Sequence, residues 1–168
     1  MRWLACSVLA LTGAGAAQLH GQSSMAARFV GTWRLVSTEQ RLADGTIRAA
    51  PAYGPSGQGY LIYDSSGHMC ALLMDPGRPR WQLATPSPEE LRRAWDGLVA
   101  YCGTHEVDER EELVVHHVEL DKSPNLIGTD RRRRYLFDGP RLTLQVLPPP
   151  EGVAEYRLTW ERVTLAPR

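Results

Sequence analysis

Three histidines near the middle of the chain, His105, His116 and His117, are the first candidates for chemistry. Three imidazoles can form an open zinc site that keeps a fourth position for water. His116 and His117 are adjacent, however, and adjacent residues of a β-strand point to opposite faces, so their rings are poorly placed to share one ion. We therefore predict no metal site and expect a buried histidine that is hydrogen-bonded to a neighbour.

The alternation of residue types assigns these histidines and a nearby tyrosine to faces of a sheet. In one segment Tyr101 and His105 share the less charged face, and in the next segment His116 shares the more apolar face with Leu120. Side chains alternate from one face of a strand to the other. We therefore predict that these four residues point inward and that His117 points outward.

Four consecutive arginines follow, beginning at Arg131. In a strand they divide between two faces, with Arg131, Arg133 and Tyr135 on one and Arg132 and Arg134 on the other. We predict that the first group faces a cavity, where the two arginines could pair with a ligand carboxylate or enolate. The alternative is a solvated strand whose arginines are balanced by neighbouring acids.

The overall charge excludes one class of function. Nineteen basic residues balance nineteen acidic ones, so the formal charge is zero, whereas a nucleic-acid-binding protein normally carries a clear basic excess. The same neutrality gives no reason to expect a polybasic membrane anchor. The sequence holds no Gly-x-Ser-x-Gly elbow, phosphate loop or dinucleotide fingerprint, so we expect no cofactor and no nucleic-acid partner.

The elements that must position these residues are mostly strands. Short segments rich in β-branched and aromatic residues alternate with turn residues, a pattern typical of an all-β sandwich or barrel. One helix is predicted over residues 89–98, with Ser87 as N-cap and Pro88 as the first helical residue. The predicted strands cover residues 32–42, 59–63, 68–74, 99–107, 112–120, 129–137, 141–147 and 156–163.

Eight strands can close into a barrel that holds one small ligand, and closure also removes exposed sheet edges. We therefore predict an all-β fold, an antiparallel up-and-down barrel of about eight strands with one α-helix between the third and fourth strands.

Residues 1–17 have the pattern of a secretory signal peptide: a positive charge, an apolar run, and small residues that allow cleavage after Ala16 or Ala17. The apolar run is shorter than the roughly 20 residues that a membrane-spanning helix needs. We therefore expect a secreted or periplasmic protein without stable membrane insertion after cleavage. The mature chain would comprise a flexible stub over 18–27 and a barrel domain over 28–165.

Two cysteines remain after the predicted cleavage, Cys70 and Cys102. In an oxidising compartment such a pair can form a disulfide. The alternative is two buried or half-buried thiols in neighbouring strands, and the sequence leaves both alternatives open.

The segment from Phe29 to Leu35, FVGTWRL, resembles the Gly-x-Trp opening strand of the calycins. Residues 29–163 resemble a narrower group within that superfamily, the bacterial and fungal lipocalin-like domain family, and the block from His116 to Arg133 is the most specific part. The segments that carry the resemblance are GTWRLVS, YGPSGQGYLIYDSSGHM, MDPGRPRW, AYCGTHEVDE, VVHHVELDKSPNLIGTDRRRRY, DGPRLTL and LTWERV.

The resemblance implies a lipocalin-like barrel with a binding role, and it does not imply a reaction. It also implies roles for two residues at the barrel floor. Trp33 would close that end with its indole, and Arg162 of the last strand would cover the indole as a cation–π cap.

Three functional hypotheses follow. The first is a protein that binds a small, largely hydrophobic or amphipathic molecule with one acidic or carbonyl group. Its cavity wall would include Tyr101, His105, His116, Arg131, Arg133 and Tyr135. The second is a cofactor-independent isomerase or cyclase, with His105 as general base and Arg133 or Tyr101 as oxyanion partner. The third is a structural or interaction module whose barrel is filled.

Overall fold

The computed structural model describes residues 24–164, so the predicted signal peptide and residues 18–23 of the predicted stub lie outside the described residues. Within them the chain forms nine strands, two α-helices and two short 3-10 helices, Pro51–Tyr53 and Pro124–Leu126. The strands are β1 (Gly31–Leu42), β2 (Ile47–Arg48), β3 (Gln58–Tyr63), β4 (His68–Met74), β5 (Leu98–Asp108), β6 (Leu113–Asp121), β7 (Asp130–Asp138), β8 (Arg141–Leu147) and β9 (Val153–Arg162). The helices are α1 (Met25–Phe29) and α2 (Pro88–Asp96).

The sheet closes on itself. From β3 to β9 each strand pairs antiparallel with the next. The long strand β1 completes the ring, because its first residues pair with β3 and most of its length pairs with β9. Opposite ends of one strand thus join both edges of the sheet, which leaves eight long strands in a closed antiparallel barrel, as the sequence predicted.

The predicted position of the helix is wrong. We placed it between the third and fourth strands, whereas α2 follows β4. The difference arises from β2, a two-residue strand that pairs with the end of β1 after the turn at Asp44-Gly45 and was too short to be predicted. The predicted start of the helix is confirmed: Ser87 accepts a hydrogen bond from the backbone of Glu90, whose side chain accepts one from Ser87 in return.

The second helix, α1, includes residues 25–27, the last residues of the predicted stub. Ser24 caps it, and Phe29 at its end is fully buried against the rings of Tyr63, Tyr135 and Phe137. This contact anchors the N-terminal side of β1 to the core. Neither helix within residues 24–164 has the length and apolar character needed to cross a membrane.

Trp33 and Arg162 close one end of the barrel, as the resemblance implied. The indole is 1% exposed, and its Nε1–H donates to the carbonyl of Phe29 at 2.8 Å. The Arg162 guanidinium lies 4.1 Å from the centre of the indole ring and donates to the carbonyls of Val30, at 2.6 Å, and Arg28. A buried aromatic ring and a cation with satisfied donors therefore form this floor.

The two cysteines form a disulfide. Cys70 of β4 and Cys102 of β5 are directly opposite each other in the antiparallel pair, with their Cα atoms 4.1 Å apart. Cys70 is exposed and Cys102 is half-buried. The bond therefore joins two neighbouring strands on the outer face of the barrel and takes no part in the interior.

A β-bulge between β5 and β6 changes which side chains enter the barrel. The pairing shifts between Cys102 and Gly103, so the last part of β6 has the opposite alternation from its first part. Leu120, predicted to point inward, is consequently 66% exposed. The side chain of Asp121 is instead buried. Gly103 permits this geometry, because a Cβ there would lie 1.9 Å from the carbonyl oxygen of His117.

Candidate functional site

A cavity of about 220 Å³ lies inside the barrel. The hypothesis of a purely structural module required a filled interior, and the cavity shows that the interior is not filled. Most of the wall is apolar, and it consists of Leu61, Ala71, Leu73, Val99, Leu144, Val146, Leu158 and Trp160. The polar residues of the wall are Tyr53, Tyr101, His116, Arg131, Arg133 and Tyr156. A mostly apolar pocket with a few convergent polar groups is the usual form of a small-molecule site.

Four of the six predicted site residues line this cavity: Tyr101, His116, Arg131 and Arg133. They come from β5, β6 and β7, which are consecutive in the sheet. The register explains their proximity, because His116 is the direct cross-strand partner of Arg131. Alternation thus identified the inward residues, and strand pairing brings them together.

The other two predicted residues, His105 and Tyr135, do not line the cavity. His105 is half-buried and packs edge-on against Tyr63, with ring centres 4.8 Å apart. Its Nδ1 has no hydrogen-bond partner among the described residues. Tyr135 is buried in the aromatic cluster at the α1 end, 5.1 Å from the ring of Phe29. Both side chains point inward but lie outside the pocket wall.

Sequence reasoning missed two tyrosines of the wall. Tyr156 lies on β9 and alternates inward with Leu158 and Trp160, so the same two-residue period could have identified it. Tyr53 ends the short 3-10 helix Pro51–Tyr53 in a connection between strands. No periodic pattern marks such a position, and only the folded chain places it at the cavity.

His116 is held between two tyrosine hydroxyls. Its Nε2 lies 2.7 Å from Tyr63 Oη, and its Nδ1 lies 2.9 Å from Tyr101 Oη. The histidine is 1% exposed. Burial lowers the pKa of His116 well below its ordinary value, and the positive charges of Arg133 and Arg131 act in the same direction. The ring is therefore neutral and uses both nitrogens in hydrogen bonds, as expected for a buried histidine.

The two cavity arginines have different partners. Arg131 donates to the buried carboxylate of Asp121 at 2.5 Å, and its guanidinium stacks 4.1 Å above the ring of Tyr101. Arg133 donates to the backbone carbonyl of Arg132 at 2.8 Å and pairs with no carboxylate among residues 24–164. The charge of Arg131 is thus balanced within the site, and the charge of Arg133 is not.

His117 points outward, as predicted. Its Nδ1 lies 2.8 Å from Asp130 and its Nε2 lies 3.7 Å from Glu106. Both ring nitrogens of His117 therefore lie near acidic side chains on the outer face of the sheet. His116 lies on the opposite, inner face. Residues 24–164 contain no group of three or more His, Cys, Asp or Glu side chains arranged to hold a metal ion.

The neutral His116 predicts a pH dependence of stability. Its pKa in the folded protein lies below the ordinary value of 6.5, so the unfolded chain takes up the proton first as the pH falls. Stability is then complete above about pH 6.5 and decreases below it, by up to about 1.4 kcal/mol per pH unit for one proton. We expect His116→Gln to reduce this slope in urea denaturation between about pH 6.5 and 5.

Part of the slope will remain in that variant, because burial also lowers the pKa of His105. A slope as steep in His116→Gln as in the wild type would contradict a neutral, buried His116.

A family model described as lipocalin-like domain matches residues 30–163, which is most of the chain. No curated protein sequence matches the chain.

Several solved structures match the chain with low sequence identity and low TM-scores. A lipocalin-like protein from Bacteroides uniformis is 12% identical, with a TM-score of 0.41 over 80% of this chain and 98% of that chain. The fatty acid transporter REP1-NXSQ is 11% identical, with a TM-score of 0.39 over 83% and 99% of the two chains. The fluorescent protein UnaG is 15% identical, with a TM-score of 0.39 over 83% and 100%. Likenesses at these values carry no argument about what this chain binds.

Proposed function

The chain belongs to the lipocalin-like domain family, and from that premise we propose that it is an exported protein whose barrel binds a small, largely hydrophobic molecule with one acidic group. The observation that carries this proposal is Arg133, an arginine of the cavity wall that lacks a carboxylate partner within residues 24–164. Arg133 is half-buried, and a charge that is partly removed from water is stabilised by a partner of opposite charge. A ligand carboxylate would supply that pair in a bidentate geometry that suits a guanidinium.

The size of the cavity supports a small ligand. An apolar cavity of about 150 Å³ accommodates benzene, so by proportion the cavity of about 220 Å³ corresponds to about nine non-hydrogen atoms. Pockets for drug-sized ligands begin at about 300 Å³. A monocyclic aromatic acid or a short branched acid fits this volume, whereas a long acyl chain would have to extend out of the barrel.

The disulfide supports export. Bonds of this kind persist in oxidising compartments and are rare in reducing ones, and Cys70 and Cys102 are bonded on the outer face, where Cys70 is exposed. Together with the signal-peptide pattern of residues 1–17, this favours a secreted or periplasmic location.

No feature of residues 24–164 favours the isomerase hypothesis. It assigned the general base to His105, which is not part of the cavity wall. The imidazole that does line the cavity is His116, and both of its nitrogens are hydrogen-bonded to tyrosines. A general base needs a free nitrogen within reach of the proton that it abstracts. His105 lies outside the cavity wall, and both nitrogens of His116 are occupied.

Two isosteric probes test the proposed function on the mature chain, residues 18–168. Benzoate and nitrobenzene each have nine non-hydrogen atoms, which matches the estimate for this cavity, and only benzoate carries a charge. We expect calorimetric titration to show binding of benzoate at one site, with weaker binding of nitrobenzene.

The matched control is Ala71→Phe, because Ala71 is a buried residue of the cavity wall and the larger ring would occupy the cavity. That variant is expected to bind neither probe. Absence of binding of both probes to the wild type, or full binding by Ala71→Phe, would refute a ligand site inside the barrel.

A further inference from the structure

The contacts of His116 determine which groups point into the cavity as donors. The ring is contributed by β6, and its two partners, Tyr63 and Tyr101, come from β3 and β5. Tyr101 lines the cavity, whereas Tyr63 lies behind the cavity wall and is 1% exposed. The three side chains therefore form a chain of hydrogen bonds that runs from the buried interior to the ligand space.

Only one direction of donation along this chain gives the hydrogen of the buried Tyr63 hydroxyl an acceptor. A neutral imidazole has one N–H donor and one acceptor nitrogen. Within residues 24–164 the hydroxyl of Tyr63 has a single hydrogen-bond partner, His116 Nε2. A buried hydroxyl hydrogen without an acceptor is costly, so Tyr63 must donate to Nε2. The ring proton then lies on Nδ1 and is donated to Tyr101 Oη.

The reverse direction fails at the buried end. If Tyr101 donated to Nδ1, the proton on Nε2 would be donated to Tyr63 Oη. The Tyr63 hydroxyl would then have no acceptor for its own hydrogen within the described residues. The environment of the ring agrees with the neutral form, because its pKa is lowered by burial and by the nearby charge of Arg133.

We infer that Tyr63, His116 and Tyr101 form a hydrogen-bond relay of fixed direction, which makes the Tyr101 hydroxyl a donor to the ligand and selects a compact carboxylate over a neutral molecule of the same shape. This inference rests on the proposed function and names the residue that, beside Arg133, determines its specificity. Tyr101 accepts from His116 and keeps its own hydrogen free for the cavity. Successive hydrogen bonds in such a chain strengthen one another.

Within its mostly apolar wall, the ligand space is consequently bordered by several hydrogen-bond donors. Tyr101 presents a hydroxyl hydrogen, Arg133 presents an unpaired guanidinium, and Arg131 lies over the Tyr101 ring while bonded to Asp121. A carboxylate accepts such bonds strongly because it is ionised. A nitro group of the same shape carries no net charge and gains much less.

The first test uses Tyr101→Phe, which keeps the ring beneath Arg131 and removes only the hydroxyl. A lost hydrogen bond to a charged group corresponds to a roughly tenfold or greater loss of affinity. We expect at least that loss for benzoate and less than about a twofold change for nitrobenzene. Tyr60→Phe is the matched control, because Tyr60 lies on β3 and is half exposed on the outer face; it is expected to bind both probes as the wild type does.

The second test is independent of ligand binding. Nitrogen NMR of protein labelled with ¹⁵N-histidine reports which ring nitrogen carries the proton. We expect His116 to be protonated at Nδ1 and unprotonated at Nε2 at neutral pH. Protonation at Nε2 would overturn the relay, even if Tyr101→Phe failed to fold.

The outcomes separate the two proposals. If the wild type binds both probes and Tyr101→Phe binds benzoate unchanged, the relay is wrong and the proposed function stands. If neither probe binds to the wild type, the proposed function is refuted. The NMR result still decides the direction of the hydrogen bonds in that case.

Discussion

Replacing Arg133 with methionine is expected to lower the affinity for benzoate by about a hundredfold. Methionine keeps an unbranched apolar stem of similar length and removes the guanidinium. Hydrogen bonds to charged groups contribute about 1.5–3 kcal/mol, and a hundredfold loss corresponds to about 2.7 kcal/mol. The effect is large because Arg133 is the cavity arginine whose charge is not balanced within residues 24–164.

Arg132→Met provides the matched control for this experiment. Arg132 precedes Arg133 on β7, is exposed, and belongs to the opposite face of the strand. It has the same charge, so any effect of net charge on benzoate appears equally in both variants. We expect Arg132→Met to bind benzoate within about twofold of the wild type, since exposed charges contribute little. Equal losses in the two variants, or a parallel loss of nitrobenzene in Arg133→Met, would show that Arg133 does not act on the carboxylate.

Replacing Trp33 with alanine is expected to destabilise the protein by about 3–5 kcal/mol, the range for truncating a buried large aromatic side chain. The indole is 1% exposed, donates to the carbonyl of Phe29, and lies beneath Arg162. Its removal leaves a cavity at the barrel floor and deprives the Arg162 guanidinium of its aromatic partner. Urea denaturation will measure the loss as a lower midpoint.

Trp81→Ala is the control for that experiment. Trp81 is half exposed, in the connection between β4 and α2, so its truncation is expected to cost less than about 1 kcal/mol. If both tryptophan variants lost the same stability, Trp33 would not be the structural floor of the barrel.

Much of the fold could be predicted because strand patterns are local. Alternating segments and turn residues located every long strand to within a few residues, and the Ser87-Pro88 start signal located α2. These features depend on neighbours in sequence, which is where residue-type patterns carry information. The two-residue strand β2 has too few residues for any alternation, and missing it led to the wrong position for the helix.

In the candidate site, some side-chain orientations depend on strand pairing and could not be predicted from alternation. Alternation placed His116, Arg131 and Arg133 inward, and the cavity wall includes all three. The bulge opposite Gly103 then exposes Leu120 and buries Asp121, the partner of Arg131. A single extra residue in one strand inverts every later assignment, and alternation alone cannot reveal it.

Tyr63 illustrates the same limit across longer separations. It is 53 residues from His116 in sequence, yet their polar atoms lie 2.7 Å apart. The contact depends on ring closure and on the register of several strands together. Similarly, the burial of Tyr135 against Phe29 depends on α1, a five-residue helix that no sequence pattern predicted.

The most direct test of the binding site is a crystal structure of the mature protein with benzoate bound. We predict that the ligand lies inside the barrel, with its ring against the apolar wall and its carboxylate within hydrogen-bonding distance of both the Arg133 guanidinium and the Tyr101 hydroxyl. A benzoate bound only on the outer surface, or one whose carboxylate points away from Arg133 and Tyr101, would contradict it.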